Sequence, residues 1–283
     1  MRYNFMLLRF ISGLVGIPLL IILVFTERGF PFVLGVGFIS IIGLNEFYRG
    51  TRKTGAEPQE WVGLASVMLF MLAARQKFNA PNFSLSGVLT LFVIAALVVE
   101  LLRPNRSPIK NLGATFLGAV YVGWLFSYLV AIRSISGQIN LSGIPWSIPT
   151  GAWLVLFVVF AAWAADTGAY LVGRTWGRHK IVPVLSPGKS WEGLAAGVVS
   201  SIAVCIAMGR GIGISLTQGL ILGLLISIAG FIGDLVESSI KRDIGIKDFG
   251  SALPGHGGIL DRFDGLLFAA PLFYYFVTLI LGF

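Results

Sequence analysis

The stretch SLTQGLILGLLISIAGFIGDLV, from Ser215 to Val236, decides the fold. It carries one charged side chain, Asp234, and is long enough for a helix to cross a hydrocarbon core, which takes about 20 apolar residues. Glu237, Lys241 and Arg242 follow at once. An apolar run that ends in charges is a membrane span meeting its interface.

Working outward, eight more stretches have the same character: 10–26, 30–47, 61–74, 84–102, 111–132, 151–173, 193–209 and 265–283. The third is short. Together they predict an all-α fold, a polytopic integral membrane helical bundle of about nine transmembrane helices, because backbone in lipid must satisfy its own hydrogen bonds. Composition agrees: the 283 residues are 56% hydrophobic and 12% charged, where soluble domains carry about 25% charged residues. The mean hydropathy is +0.86. Soluble, disordered and collagen-like classes are excluded. The single cysteine, Cys205, excludes an intramolecular disulfide and reads as a packing residue. Arg2 and Arg9 before the first run would suit a signal peptide, but no small-residue cleavage site follows, so the run is expected to stay as a helix.

Alternating spans sort the cations. With the N-terminus cytoplasmic, sixteen of the 21 Lys and Arg fall in inner segments and five in outer ones. The net charge of +8 thus reads as topology plus anionic substrates, and no nucleic acid is expected as a partner. No internal repeat appears. The expected division is an N-terminal transmembrane bundle, 1–150, and a catalytic transmembrane region, 151–283, whose inner loops at 174–192 and 237–264 hold the chemistry-capable residues.

Carboxylates at membrane depth need a partner or a purpose. Asp166, Asp234 and Glu237 lie at inner ends of spans. Asp234 and Glu237 are three apart and so share a helix face, with Gly230 and Gly233 before them allowing a close approach by another backbone or a ligand. An interhelical salt bridge is the plain structural alternative. Asp261 and Asp264 repeat the spacing in GILDRFDG, beside Arg262. Two acidic pairs facing each other suit Mg²⁺, which takes carboxylate oxygens and keeps water and phosphate as its other ligands. His179 and His256 stand at no zinc spacing. Between the pairs runs a basic, glycine-bearing loop with Ser238, Ser239, Lys241, Arg242, Lys247 and Asp248, then Pro254-Gly255-His256-Gly257-Gly258. Carboxylate-held metal beside Lys, Arg and open backbone N–H groups is what phosphoryl or nucleotidyl transfer needs. Farther upstream, Gly188-Lys189-Ser190 lacks the earlier glycine and the strand of a P-loop. Lys189 can still point at a phosphate, while Ser190 is equally a plain helix cap.

The run SSIKRDIGIKDFGSALPGHGGILDRFD, Ser238 to Asp264, resembles the signature of the phosphatidate cytidylyltransferase family, the CDP-diacylglycerol synthases. Its fixed elements stand as Ser238, Lys241-Arg242, Lys247-Asp248, Pro254, His256-Gly257-Gly258, Asp261-Arg262 and Asp264. The resemblance extends to Asp166-Thr167-Gly168-Ala169-Tyr170 and to Ser186–Gly193, with Gly188 in place of a lysine and Ser190 in place of a threonine. It implies an enzyme that joins CTP to phosphatidic acid, giving CDP-diacylglycerol and pyrophosphate. Mg²⁺ is expected on Asp234, Asp261 and Asp264, with a second, monovalent cation as an option. The resemblance places Lys241, Arg242 and His256 in the catalytic set. Substrate binding is expected from Lys189, Ser190, Ser239, Lys247, Gly257, Gly258 and Arg262, with Asp166 and Glu237 as secondary candidates. A homodimer in the bacterial inner membrane, its active site facing the cytoplasm, is implied as well. From a different class, an ion-coupled transporter would use Asp166, Asp234 and Glu237 as ion sites, but such sites lie near the midplane rather than at inner ends. The pattern of alcohol phosphatidyltransferases is not found in the sequence.

Overall fold

The structure, a computed structural model, describes residues 16–26, 29–76, 79–80, 83–104, 107–141, 145–250 and 257–283. Among them run nine helices, each on one of the nine apolar stretches: α1 (Gly16–Phe25), α2 (Phe30–Thr51), α3 (Glu60–Arg75), α4 (Leu85–Leu101), α5 (Pro108–Arg133), α6 (Thr150–Trp176), α7 (Trp191–Arg210), α8 (Leu216–Asp243) and α9 (Leu260–Ile280). Six of them, α2 and α5 to α9, are long and apolar enough to cross a membrane. Turns of π-helix lie inside α5 at Ala119–Trp124 and end α9 at Phe276–Ile280. Strand is confined to two short antiparallel pairs, Asn79–Ala80 with Phe83–Ser84 and Gln138–Ile139 with Ile148–Pro149. The second pair lies in the 134–149 connection, which the sequence reads as a plain loop. Arg2, Arg9 and His256 lie outside the described residues.

One boundary differs in a way that matters for function. The segment Ser238–Asp243, expected in a loop, is the last turn and a half of α8. Its 28 residues rise about 42 Å against a core of about 30 Å, so charged turns can continue the helix past the apolar zone. Lys241 and Arg242 at its C-terminus also oppose the negative end of the helix dipole. What stops the helix is Gly245: it turns left-handed, with φ 70°. The Gly245 N–H then donates to the Arg242 carbonyl and the Ile246 N–H to that of Lys241, closing the end as a Schellman motif.

The chain divides into two compact units. The first comprises residues 1–134 together with 241–263. Its core holds the fully buried rings of Phe47, Tyr48, Phe70 and Phe126. The Tyr48 hydroxyl donates to the Thr115 carbonyl at 3.0 Å, and the ring of Phe249 stacks on Phe47 with centroids 5.8 Å apart. Buried Glu100 accepts from Gln59 Nε2 at 2.8 Å and Asn111 Nδ2 at 2.7 Å, which satisfies a carboxylate that would otherwise be costly to bury.

The second unit comprises residues 135–240 and 264–283. Its helices meet through glycine. A Cβ on Gly193 or Gly197 would fall 2.8 Å from the carbonyl oxygen of Ala169 or Ala165, and one on Gly223 would fall 2.5 Å from Ile202 Cα. So α7 lies directly against both α6 and α8. The Gly193/Gly197 and Gly219/Gly223 faces are taken up by packing within the chain. A third close approach joins α8 to α9, where a Cβ on Gly265 would stand 3.2 Å from Gly230 Cα.

Candidate active site

The approach of α8 to α9 brings carboxylates of the second unit together. Gly233 lies against the backbone of Asp264, a contact that side chains would hold apart. One residue on, Asp234 projects from α8, and Glu237 follows on the same face. Ligand oxygens of Asp234, Glu237 and Asp264 all lie within 4.8 Å of one another. Asp166 on α6 is near enough to feel the charges of Asp234 and Lys189. Two carboxylates at such a separation repel by roughly 3 kcal/mol at an effective dielectric near 20, so the group favours a cation in its midst.

Lys189 brings one. Its Nζ lies 2.5 Å from Asp234 Oδ2 and 4.6 Å from the centroid of Phe231. The backbone fixes its position. Ile181 N–H donates to the Lys189 carbonyl at 3.1 Å, Lys189 N–H to that of Ser186 at 3.2 Å, and Trp191 N–H to that of His179 at 3.0 Å. Ser190 is the N-cap of α7, its Oγ accepting the Gly193 N–H at 3.2 Å. Glu192 in the first turn has its Oε1 2.6 Å from His179 Nδ1, and so ties the loop to the helix. Ser238 Oγ donates to Asp234 Oδ1 at 3.3 Å.

Asp261 belongs to the first unit and has other partners. Its Oδ1 receives Lys241 Nζ at 2.8 Å, and its Oδ2 accepts the N–H groups of Phe249 at 2.9 Å and Gly258 at 3.0 Å. The expected metal ligands have these partners within their own units. Asp234 and Asp264 are joined by Glu237, a secondary candidate, while Asp261 serves an ion pair and two backbone amides. Gly257 takes a left-handed conformation, with φ 87°, directly before Gly258. Arg242, Lys247, Ser239 and Arg262 are exposed. Arg242 Nη1 donates to the Ile246 carbonyl at 3.4 Å.

Glu46 was absent from the sequence candidates. It is buried on α2, and its Oε2 accepts the N–H groups of Ile259 at 2.7 Å and Leu260 at 3.4 Å. The signal was available: Glu46 is a carboxylate at the end of an apolar run, the feature that singled out Asp166. What this architecture offers chemically is oxygen ligands for a hard cation in one unit, and in the other a turn whose amides and lysine converge on a carboxylate.

Comparison with known proteins gives the chain relatives over nearly its full length. The sequence profile described as Cytidylyltransferase family matches residues 7–280. A phosphatidate cytidylyltransferase of Synechocystis sp. is 34% identical, over 96% of this chain and 97% of its own. The Bacillus subtilis protein of that name is 30% identical over the same shares. That of Staphylococcus haemolyticus is 33% identical, over 93% of this chain and 94% of its own.

Proposed function

The chain belongs to the cytidylyltransferase family, and from that premise we propose that it is a phosphatidate cytidylyltransferase, joining CTP to phosphatidic acid to give CDP-diacylglycerol and pyrophosphate. The observation that carries this reading is the likeness to relatives of that name over nearly the whole of both chains. Phosphate monoesters lose their second proton near pH 6, so phosphatidate is already an anionic nucleophile and no general base is needed. One of its oxygens bonds to the α-phosphorus of CTP. The bond from that phosphorus to the bridging oxygen breaks, and pyrophosphate leaves with the electron pair. The barrier is repulsion between anions, and the charged side chains act on it.

The three gathered carboxylates fit Mg²⁺ in ligand type and spacing, and Asp234, Glu237 and Asp264 would hold it. Bound there, the ion would neutralise triphosphate charge and favour pyrophosphate departure. In this reading Lys189, paired with Asp234, moves its ammonium to a phosphate of the substrate. Lys241 and the amides around Asp261 order the turn, while exposed Arg242 and Arg262 suit bidentate phosphate contacts. The cation asymmetry supports nine spans with the N-terminus and both charged loops on the cytoplasmic side of a bacterial inner membrane, where CTP is found. A homodimer is part of the proposal, formed through faces other than the glycine stripes.

The test is direct. Protein purified in detergent, given labelled CTP and phosphatidate, should form CDP-diacylglycerol with a divalent cation present and stop when it is chelated. Solute uptake into liposomes with no lipid product would overturn the reading in favour of an ion-coupled transporter.

A further inference from the structure

We infer that Glu46, 213 residues away in the chain, is the positioning residue of the signature turn, holding the amides before α9 so that Asp261 meets Lys241. The inference rests on the cytidylyltransferase reading for its kinetic consequence and on the structure alone for its geometry. A carboxylate buried in an apolar helix needs donors, and Glu46 takes them from the start of α9, through Ile259 N–H at 2.7 Å and Leu260 N–H at 3.4 Å. The amide just before, that of Gly258, goes to Asp261 Oδ2 at 3.0 Å. Successive amides are therefore shared out between two carboxylates that approach the turn from different sides.

Glycine is required where they converge. A Cβ on Gly258 would stand 2.7 Å from Glu46 Oε2 and 3.0 Å from Asp261 Oδ2, and one on Gly250 would fall 2.7 Å from Glu46 Cδ. The peptide planes from Gly258 to Leu260 are thus set by Glu46. They in turn set the base from which Asp261 reaches Lys241 Nζ and the Phe249 amide, at 2.8 and 2.9 Å. Removing the clamp frees the turn to shift, and displacements near 1 Å in a site cost about 100-fold in rate. The substrate-gripping side chains remain, so the loss falls on kcat rather than on KM.

The test compares Glu46→Asp, Glu46→Ala and Glu46→Gln in the full chain, with Glu100→Gln as a control for loss of a buried carboxylate that touches no part of the turn. Per folded molecule, E46A and E46D should lose about 10- to 100-fold in kcat with the KM for CTP nearly unchanged. E46Q keeps an acceptor oxygen at the same reach and should recover most of the rate, and E100Q should lose stability without loss of kcat. If E46A does not fold, the contrast between E46Q and E46D decides. Wild-type kcat in E46D, or equal losses in E46D and E46Q, overturns the inference. Amide hydrogen exchange over 257–261 provides a readout without activity: faster in E46D and protected in E46Q supports it, and equal exchange overturns it. Absence of CDP-diacylglycerol synthesis in the wild type would instead refute the enzyme reading, leaving the exchange result to judge the clamp.

Discussion

Replacing Lys189 with methionine should destabilise the metal-free protein and enlarge the stabilisation that a divalent cation gives it. Methionine keeps much of the apolar stem and its contact with Phe231 but removes the ammonium 2.5 Å from Asp234. The Lys189 side chain is 16% exposed and that of Asp234 42%, so the pair is screened well below a dry ion pair, and an effective dielectric near 20 is an upper limit on its strength. Discounted for that exposure, the lost attraction and the uncovered repulsion from Glu237 and Asp264 amount to about 2 kcal/mol. At about 2–4 °C per kcal/mol for a chain of this size, Tm in chelator should fall by about 4–8 °C. In the proposed site magnesium would fill the place of the ammonium, so the rise in Tm between chelator and saturating Mg²⁺ should be larger in the variant by a similar amount. Tryptophan fluorescence during a thermal ramp in detergent reads both quantities. An unchanged Tm in chelator together with a wild-type Mg²⁺ shift would refute the claim that Lys189 balances this acidic group.

Three further outcomes separate the parts of the site. Glu237→Gln should abolish the Mg²⁺-dependent rise in Tm and lower activity by about 100-fold, whereas Asp261→Asn should lower activity while keeping most of that rise, because Asp261 is engaged by Lys241 and two amides. Gly197→Val should cost upward of about 2 kcal/mol or prevent folding, read as loss of monodisperse protein, since its Cβ alone would stand 2.8 Å from the Ala165 carbonyl. With Cys205 replaced by alanine, Arg210→Cys should label in intact cells with a membrane-impermeant maleimide and Lys247→Cys only after the cells are permeabilised. Labelling of both from the same side would remove the nine-span arrangement.

The helices were readable because an apolar run of about 20 residues has one low-energy form in lipid. Their ends were less so. Charges at Lys241 and Arg242 mark where the membrane ends, and the helix continues until Gly245 supplies a left-handed turn. The acidic pairs were found from their spacing, but spacing relates residues only along one helix. Glu237 joins Asp234 and Asp264 because α8 and α9 approach at Gly230 and Gly265, a tertiary contact that the three-residue interval does not encode. Asp261 turns to Lys241, twenty residues back, for the same kind of reason, while its bond from the Gly258 amide is local. Glu46 bears on the signature turn across 213 residues, and nothing within its own apolar run names that partner.

The carboxylates at membrane depth in this chain differ in what offsets their charge, and that difference separates their roles. Glu46 and Glu100 are offset by fixed dipoles, the first by two amides at a helix N-terminus and the second by Gln59 and Asn111. Glu100 also has Arg103 Nη1 3.5 Å from its Oε2, and in both residues the fixed donors hold the carboxylate in place. Asp261 takes two amides and an ammonium, a mixed set that ties a charged side chain to an ordered turn. Asp234, Glu237 and Asp264 instead repel one another at under 4.8 Å, with Lys189 covering one of them. In the proposed reaction a divalent cation would relieve that repulsion, and the triphosphate would complete the neutralisation. Asp234, Glu237 and Asp264 would hold the ion, Lys189 would pass from carboxylate to the arriving phosphate, and the lysine would return to Asp234 once pyrophosphate has left.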